Sequence, residues 1–327
     1  MKKFLNIFHI SQKICYTDSE LLCCSYTWRM FMKKGDKIGI VACSNGLKEN
    51  SRQEMEHLKN TLEELGLIPV FSRYLYAGNG VESAGRRKRA EELMNFYRDE
   101  EIKGIFDVSG GDLANGVLPW LDYEEIKESG KAFWGYSDLT TVVNAITTKT
   151  VSPSVLYQIR NLIYRDGEEQ KRRFRSFLDV EKNDSLFQFP YKFLQGNAMS
   201  GILIGGNIRC FLKLAGTGYF PELTGKILLL EACGGGDAQF LTYFSQLEQL
   251  GAFQKVSGIL LGTFTQLERE KGAEQVWRLL KDFVPEPLPV AKTAFIGHGT
   301  DSRAAVIGEK YCFCSQESNK NDRTSHI

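Results

Sequence analysis

The stretch Lys131–Thr150, KAFWGYSDLTTVVNAITTKT, reads as a short apolar strand that runs into Gly135-Tyr136-Ser137-Asp138 and then directly into a helix. A serine between a strand end and a helix N-terminus is held up at the edge of a sheet. Backbone N–H groups not yet used by the helix point toward it. Ser137 is therefore the candidate nucleophile, and the rest of the chain is read for what such a serine requires.

Upstream, strand and helix signals alternate. Lys37–Cys43 is a short apolar run closed by Ser44-Asn45-Gly46, as expected of a buried parallel strand. Met55, Leu58, Leu62 and Leu65 follow at helical spacing, with Gly66 where a C-terminal cap belongs. Ile68–Phe71 is the next strand, and Arg86–Tyr97 the next helix, its basic run Arg86–Arg89 read as a solvated face. A third strand, Gly104–Val108, ends in Ser109-Gly110-Gly111-Asp112, where two glycines allow backbone to approach a ligand closely. Val117–Tyr123 reads as a turn packed on the core. Short connections between alternating elements predict a parallel sheet covered on both faces, with ligands at the carboxyl ends of its strands. Gly110-Gly111 and Ser137 both lie at such ends.

The remaining chain divides by composition. Residues 1–31 form an extension of doubtful structure; its start, Met1–Ile10, has the outline of a signal peptide, but Asn6 and His9 interrupt it and no small-residue cleavage site follows. Residues 32–150 form the nucleophile-bearing α/β domain, and the charged helical stretch 151–195 the connection. Residues 196–314 form a C-terminal α/β domain with strand candidates Gly201–Ile204, Lys226–Glu231, Val256–Leu261 and Ala304–Ile307; a polar tail, 315–327, ends the chain.

Composition excludes several classes. In 327 residues, 41 Lys plus Arg balance 40 Asp plus Glu, so no overall field favours nucleic acid or an anionic membrane. The apolar runs all fall short of the roughly 18 residues of a membrane span. The eight cysteines include no CxxC pair and no histidine at ligand spacing, so no metal site is expected and the thiols read as reduced, in a cytoplasmic protein.

A serine hydroxyl needs a base to take its proton, and the base needs an orienting group. Of four histidines, His9 and His326 lie near the termini and His57 on the polar side of a helix; His298 sits in the glycine-flanked loop Phe295–Asp301. It reads equally well as a loop histidine bonded to backbone. Glu231 ends the apolar run Ile227–Leu230, where a carboxylate is costly unless paired; a structural ion pair and a catalytic acid are both open. The order Ser, acid, His occurs in α/β-hydrolases, but Leu139 stands where GxSxG has its second glycine.

From about Lys33 to Gly308 the chain resembles the LD-carboxypeptidase family of serine peptidases, which includes muramoyl-tetrapeptide carboxypeptidases and microcin C immunity peptidases. The resemblance rests on Lys34–Val41, Gly110-Gly111-Asp112 with Leu118-Pro119 and Leu121-Asp122-Tyr123, and Gly135-Tyr136-Ser137-Asp138. It continues through Gly205-Gly206-Asn207, the Glu231 strand, Gly258–Gly262 and the His298 loop. It implies an α/β fold: an N-terminal parallel-sheet, flavodoxin-like domain and a second, smaller α/β domain carrying the acid and base. It also implies a triad of Ser137, Glu231 and His298, an oxyanion hole from the N–H groups of Gly111 and Asp138, no cofactor and no metal, and a homodimer. Asp112 and Asn115 are candidate substrate contacts.

Two departures lie beside the site. The family usually has Asp directly after the triad Glu, where this chain has Ala232 and then Gly234-Gly235-Gly236; after the His it often has Thr-Asp-Pro or Thr-His-Pro, where Gly299-Thr300-Asp301-Ser302-Arg303 stands here. The leading expectation is release of a terminal D-amino acid, D-Ala, from a muropeptide by hydrolysis of an L,D amide bond. The alternatives are a microcin C-type hydrolase of a peptidyl- or aminoacyl-nucleotide, toward which the Gly110-Gly111-Asp112 turn with Asn115 leans, and a non-catalytic peptide-binding protein of the same fold.

Overall fold

The computed structural model describes residues 32–179 and 186–315. The expected extension 1–31 and all but Ser315 of the expected tail lie outside the described residues. Two six-stranded sheets carry the chain. The first contains β1 (Lys37–Val41), β2 (Ile68–Phe71), β3 (Ile102–Asp107), β4 (Ala132–Gly135) and β5 (Ser154–Leu156). These five run parallel in the order β2-β1-β3-β4-β5, the flavodoxin-like arrangement.

The alternation of side chains explains why both faces are covered. Ile38, Ile40, Phe106 and Trp134 enter one apolar cluster, with Met55, Leu58 and Leu62 of α1 (Arg52–Glu64) and Phe174 of α5 (Gly167–Leu178). Their neighbours Val41, Ile105 and Phe133 enter another, with Leu93 of α2 (Arg86–Arg98), Ile126 of α3 (Tyr123–Ser129) and Val142 of α4 (Thr140–Thr150). Each such fully buried side chain contributes about 1.5–3 kcal/mol.

The second sheet joins β6 (Lys192–Gln195), β7 (Ala198–Asn207), β8 (Lys226–Ala232), β9 (Gly258–Phe264), β10 (Val290–Lys292) and β12 (Lys310–Cys314) in the order β12-β7-β8-β9-β10-β6. Its four central strands are parallel, and both edge strands are antiparallel to their neighbours. The remaining strand, β11 (Ala305–Ile307), returns to the first sheet and pairs antiparallel with β5. The cluster under α2 and α4 also continues into the second sheet through Leu203, Leu229 and Leu260. Thus the two sheets share a core.

Several elements differ from the expected ones. The stretch 151–195, read as helical, also supplies β5 and β6, because Ser154–Leu156 is a short run buried on both sides and too brief to show a period. Val117–Tyr123, in contrast, is the expected turn packed on the core: it continues a 3-10 turn, Ala114–Trp120, with Val117 and Leu118 buried, and Asp122 then caps α3 by accepting from the N–H groups of Glu124 and Glu125. Docking of the sheets is polar as well as apolar: Asn144 of α4 exchanges two hydrogen bonds with the backbone of Gly205 at the end of β7, at 2.8 and 2.9 Å. That contact brings the helix following Ser137 against the second domain.

Candidate active site

Ser137 begins a 3-10 turn, Ser137–Leu139, between β4 and α4. Its φ of +58° places a non-glycine residue in the left-handed region, a conformation that costs about 1–3 kcal/mol and needs surrounding structure to hold it. That structure converges on the next residue. Asp138 is fully buried, and its carboxylate accepts from Ser44 Oγ at 2.6 Å, the Ala114 N–H at 2.8 Å and Lys213 Nζ at 2.6 Å. The turn is thereby tied to the ends of β1 and β3 and, through Lys213, to the second domain.

Gly111 lies across from this turn at φ +122°. A Cβ there would stand 2.3 Å from Asn45 Cγ, so only glycine fits. Asn45 fixes the turn from both sides: its N–H donates to Gly110 O at 3.2 Å and its Oδ1 accepts from the Asp112 N–H at 3.0 Å. The Gly111 N–H is not drawn into these bonds. Asp112 is exposed, and its carboxylate meets Arg209 Nη1 and, at 3.4 Å, Lys213 Nζ. Asn115 is exposed in the 3-10 turn.

Glu231 is the penultimate residue of β8 and is fully buried. His298 Nδ1 lies 2.8 Å from Glu231 Oε2. Beside a carboxylate, Nδ1 carries the proton and donates it, which leaves a lone pair on Nε2. Among the described residues, His298 Nε2 is buried without a hydrogen-bond partner. Burial opposes the imidazolium, but the charge and hydrogen bond of Glu231 outweigh it, and the His298 pKa lies above its ordinary value. The ring of Tyr136, the residue before Ser137, meets the imidazole edge-on with centroids 5.0 Å apart. Burial and then the Glu231 charge push the Tyr136 phenol well above its usual range, so it stays protonated.

The His298 loop depends on Gly297, since a Cβ there would come within 1.7 Å of Thr263 Oγ1. Thr263 of β9 donates its N–H to Ile296 O at 2.7 Å, which brings the loop to the strand beside Glu231. The structure therefore brings together Ser137, Asp138 and Gly111 at one sheet end, and Glu231 with His298 at the other, joined through Tyr136. No site role was read in the sequence for Ser44, Asn45, Tyr136, Arg209 or Lys213. Only the position of Ser44-Asn45 at the end of β1, neighbouring the β3 glycines, offered a signal.

Among the described residues, no cluster of His, Cys, Asp or Glu could hold a metal ion, and no helix is long and apolar enough to cross a membrane.

Residues 38–157 match the LD-carboxypeptidase N-terminal domain, and residues 200–313 the C-terminal domain of the same family. A Bacillus subtilis protein named "Putative carboxypeptidase YocD" is 30% identical over 259 residues, covering 71% of this chain and 79% of its own. The murein tetrapeptide carboxypeptidase of Pseudomonas aeruginosa is 26% identical over 251 residues, covering 73% and 80%. Among solved structures, the microcin C7 self-immunity protein MccF in complex with aspartyl sulfamoyl adenosine shares the fold with a TM-score of 0.76 at 20% identity, over 87% of this chain and 97% of that one. Two matched domains in order, over a shared two-sheet fold, identify the chain as a member of the LD-carboxypeptidase family and as a serine peptidase.

Proposed function

We propose that the protein is a cytoplasmic LD-carboxypeptidase that releases a terminal D-amino acid, D-Ala, from a muropeptide through a triad of Ser137, His298 and Glu231. The observation that carries this reading is the 2.8 Å pairing of His298 Nδ1 with buried Glu231, which leaves Nε2 unpartnered, while the ring of Tyr136, the residue before the strained Ser137, meets the imidazole. His298 Nε2 takes the Ser137 proton as Oγ attacks the carbonyl carbon of the L,D amide. The carbonyl electrons move to oxygen, where the N–H groups of Gly111 and Asp138 receive the charge; each such donor contributes on the order of 3 kcal/mol in comparable enzymes. His298 then gives its proton to the amide nitrogen, the C–N bond breaks, and D-Ala leaves as an amine. Water, deprotonated by His298, attacks the Ser137 ester and restores the serine.

A second reading is hydrolysis of an aminoacyl- or peptidyl-nucleotide, supported by the Gly110-Gly111-Asp112 turn and by the likeness to MccF, whose structure holds aspartyl sulfamoyl adenosine. Ala232 and the glycines that follow it remove side chains beside Glu231 in either case. The deciding experiment incubates the purified protein with a muropeptide ending in D-Ala and, separately, with aspartyl sulfamoyl adenosine, with Ser137→Ala as control. Release of D-Ala by the wild type alone is expected; turnover of the nucleotide without D-Ala release sinks the first reading in favour of the second. The ligand is in both cases a small peptide or peptidyl-nucleotide, and the working form is read as a homodimer.

A further inference from the structure

We infer that Gln170 is a positioning residue that fixes the His298 loop relative to the Ser137 strand; the inference rests on the Ser137–His298–Glu231 reading above. The loop between β10 and β11 has no regular structure of its own over Phe295–Ala304. Gln170 of α5 is fully buried, and both hydrogens of its carboxamide are used on this loop: Nε2 donates to Thr300 O at 2.9 Å and to Ser302 O at 2.8 Å. Its Oε1 accepts from the Tyr157 hydroxyl at 3.1 Å. An amide facing two carbonyls and one hydroxyl donor has one orientation, because its NH2 must face the carbonyls and its oxygen the donor.

Both ends of this bridge are anchored at the site. The Tyr157 N–H donates to Gly135 O at 3.1 Å, at the end of β4 two residues before Ser137. Gln170 is itself fixed by α5, whose Phe174, one turn on, packs against Phe106 and Trp134 with centroids 6.2 and 6.3 Å apart. A second tie from the same helix end reaches the loop, as the Thr300 hydroxyl donates to Asp166. On the loop, Gly297 donates to Ser302 Oγ at 3.2 Å, so holding Ser302 also holds the residue before His298. A continuous series of bonds therefore runs from the nucleophile strand through Tyr157 and Gln170 to the loop bearing the base. Geometry at the reacting atoms is sensitive to such supports, since a misplacement of about 1 Å can cost about 100-fold in rate.

The test uses a fluorophosphonate that phosphonylates Ser137, measured on the full chain as a maximal labelling rate and a half-saturating concentration, with thermal melting beside it. Gln170→Met keeps the volume and removes every hydrogen bond; the maximal rate is expected to fall about 100-fold with the half-saturating concentration unchanged. Tyr157→Phe keeps the amide and removes one bond, and is expected to lower the maximal rate about fivefold. A purely structural glutamine would change the melting temperature and leave the maximal rate of the folded protein alone. Folded Gln170→Met labelled at the wild-type maximal rate, or changed only in half-saturation, overturns the inference. Where Gln170→Met does not fold, Tyr157→Phe decides, and a wild-type maximal rate in that variant overturns it equally. Failure of the wild type to label at Ser137 removes the triad reading itself, whereas a labelled wild type with unaffected variants removes only the role of Gln170.

Discussion

The nucleophile turn and the base loop are built in opposite ways. Ser137 stands between a four-residue strand and a helix that follow one another directly in the chain, and distant residues, Ser44, Ala114 and Lys213, reach the turn through Asp138. His298 stands in a loop whose fixing contacts come from far away in sequence: Glu231 is 67 residues distant, and Gln170 reaches Thr300 and Ser302 across 130 and 132. The position of the serine is therefore marked in the local sequence, whereas the base is placed by contacts distant in sequence and responds to substitutions that never touch substrate.

The comparison breaks first at its two centres. Ser137→Ala and His298→Ala are each expected to lower D-Ala release from a muropeptide by about 10⁶-fold, as in other triads that act as a unit. Either variant retaining more than a hundredth of wild-type turnover in a chromatographic assay would show that the two regions do not form one site.

Glu231→Gln should cost about 10⁴-fold, as loss of the orienting carboxylate does elsewhere. It also carries a pH signature. The proposed reaction needs neutral His298, so the rate is expected to fall as pH drops through the raised pKa of that group. The charged and titratable groups facing the imidazole are Glu231 and the protonated Tyr136. Without the Glu231 charge, burial alone remains and lowers the pKa, so the acid limb of the rate profile moves to lower pH. An acid limb that stays in place would detach Glu231 from His298.

Gly111→Ala tests the local side. With φ +122° and Asn45 at 2.3 Å from the added carbon, the turn must shift and the proposed oxyanion donor with it; a fall in turnover of about 10²–10³ is expected, with the fold retained by circular dichroism. The smallest effect concerns the ion pair that ties the Ser137 turn to the second domain. Lys213→Met leaves the buried Asp138 carboxylate without its cation and should destabilise the protein by on the order of 3 kcal/mol in denaturant unfolding. Adding Asp138→Asn should recover much of that loss, because the amide still accepts from Ser44 and Ala114.

How much could be read from the chain follows the same division. The parallel sheet was legible because β1, β3 and β4 are apolar runs with short connections, and Ser137 because strand and helix signals meet there. The two-domain α/β class and the pairing candidates Glu231 and His298 were legible as residue types, but a salt bridge and a loop histidine remained open until family resemblance was added. Lys213, Gln170 and Tyr136 were not legible. Lysine, glutamine and tyrosine carry no local signal of burial against a partner about 75 or 130 residues away, and β5 and β11 are three-residue strands too short to show a period.

The most direct test of the account is intact-mass and peptide mapping of the protein after reaction with a fluorophosphonate, together with Ser137→Ala and His298→Ala. The account predicts one adduct on the wild type, mapped to Ser137, none on Ser137→Ala, and a labelling rate at least about 10³-fold lower in His298→Ala. An adduct mapped elsewhere, or a His298→Ala variant labelled as fast as the wild type, would contradict it.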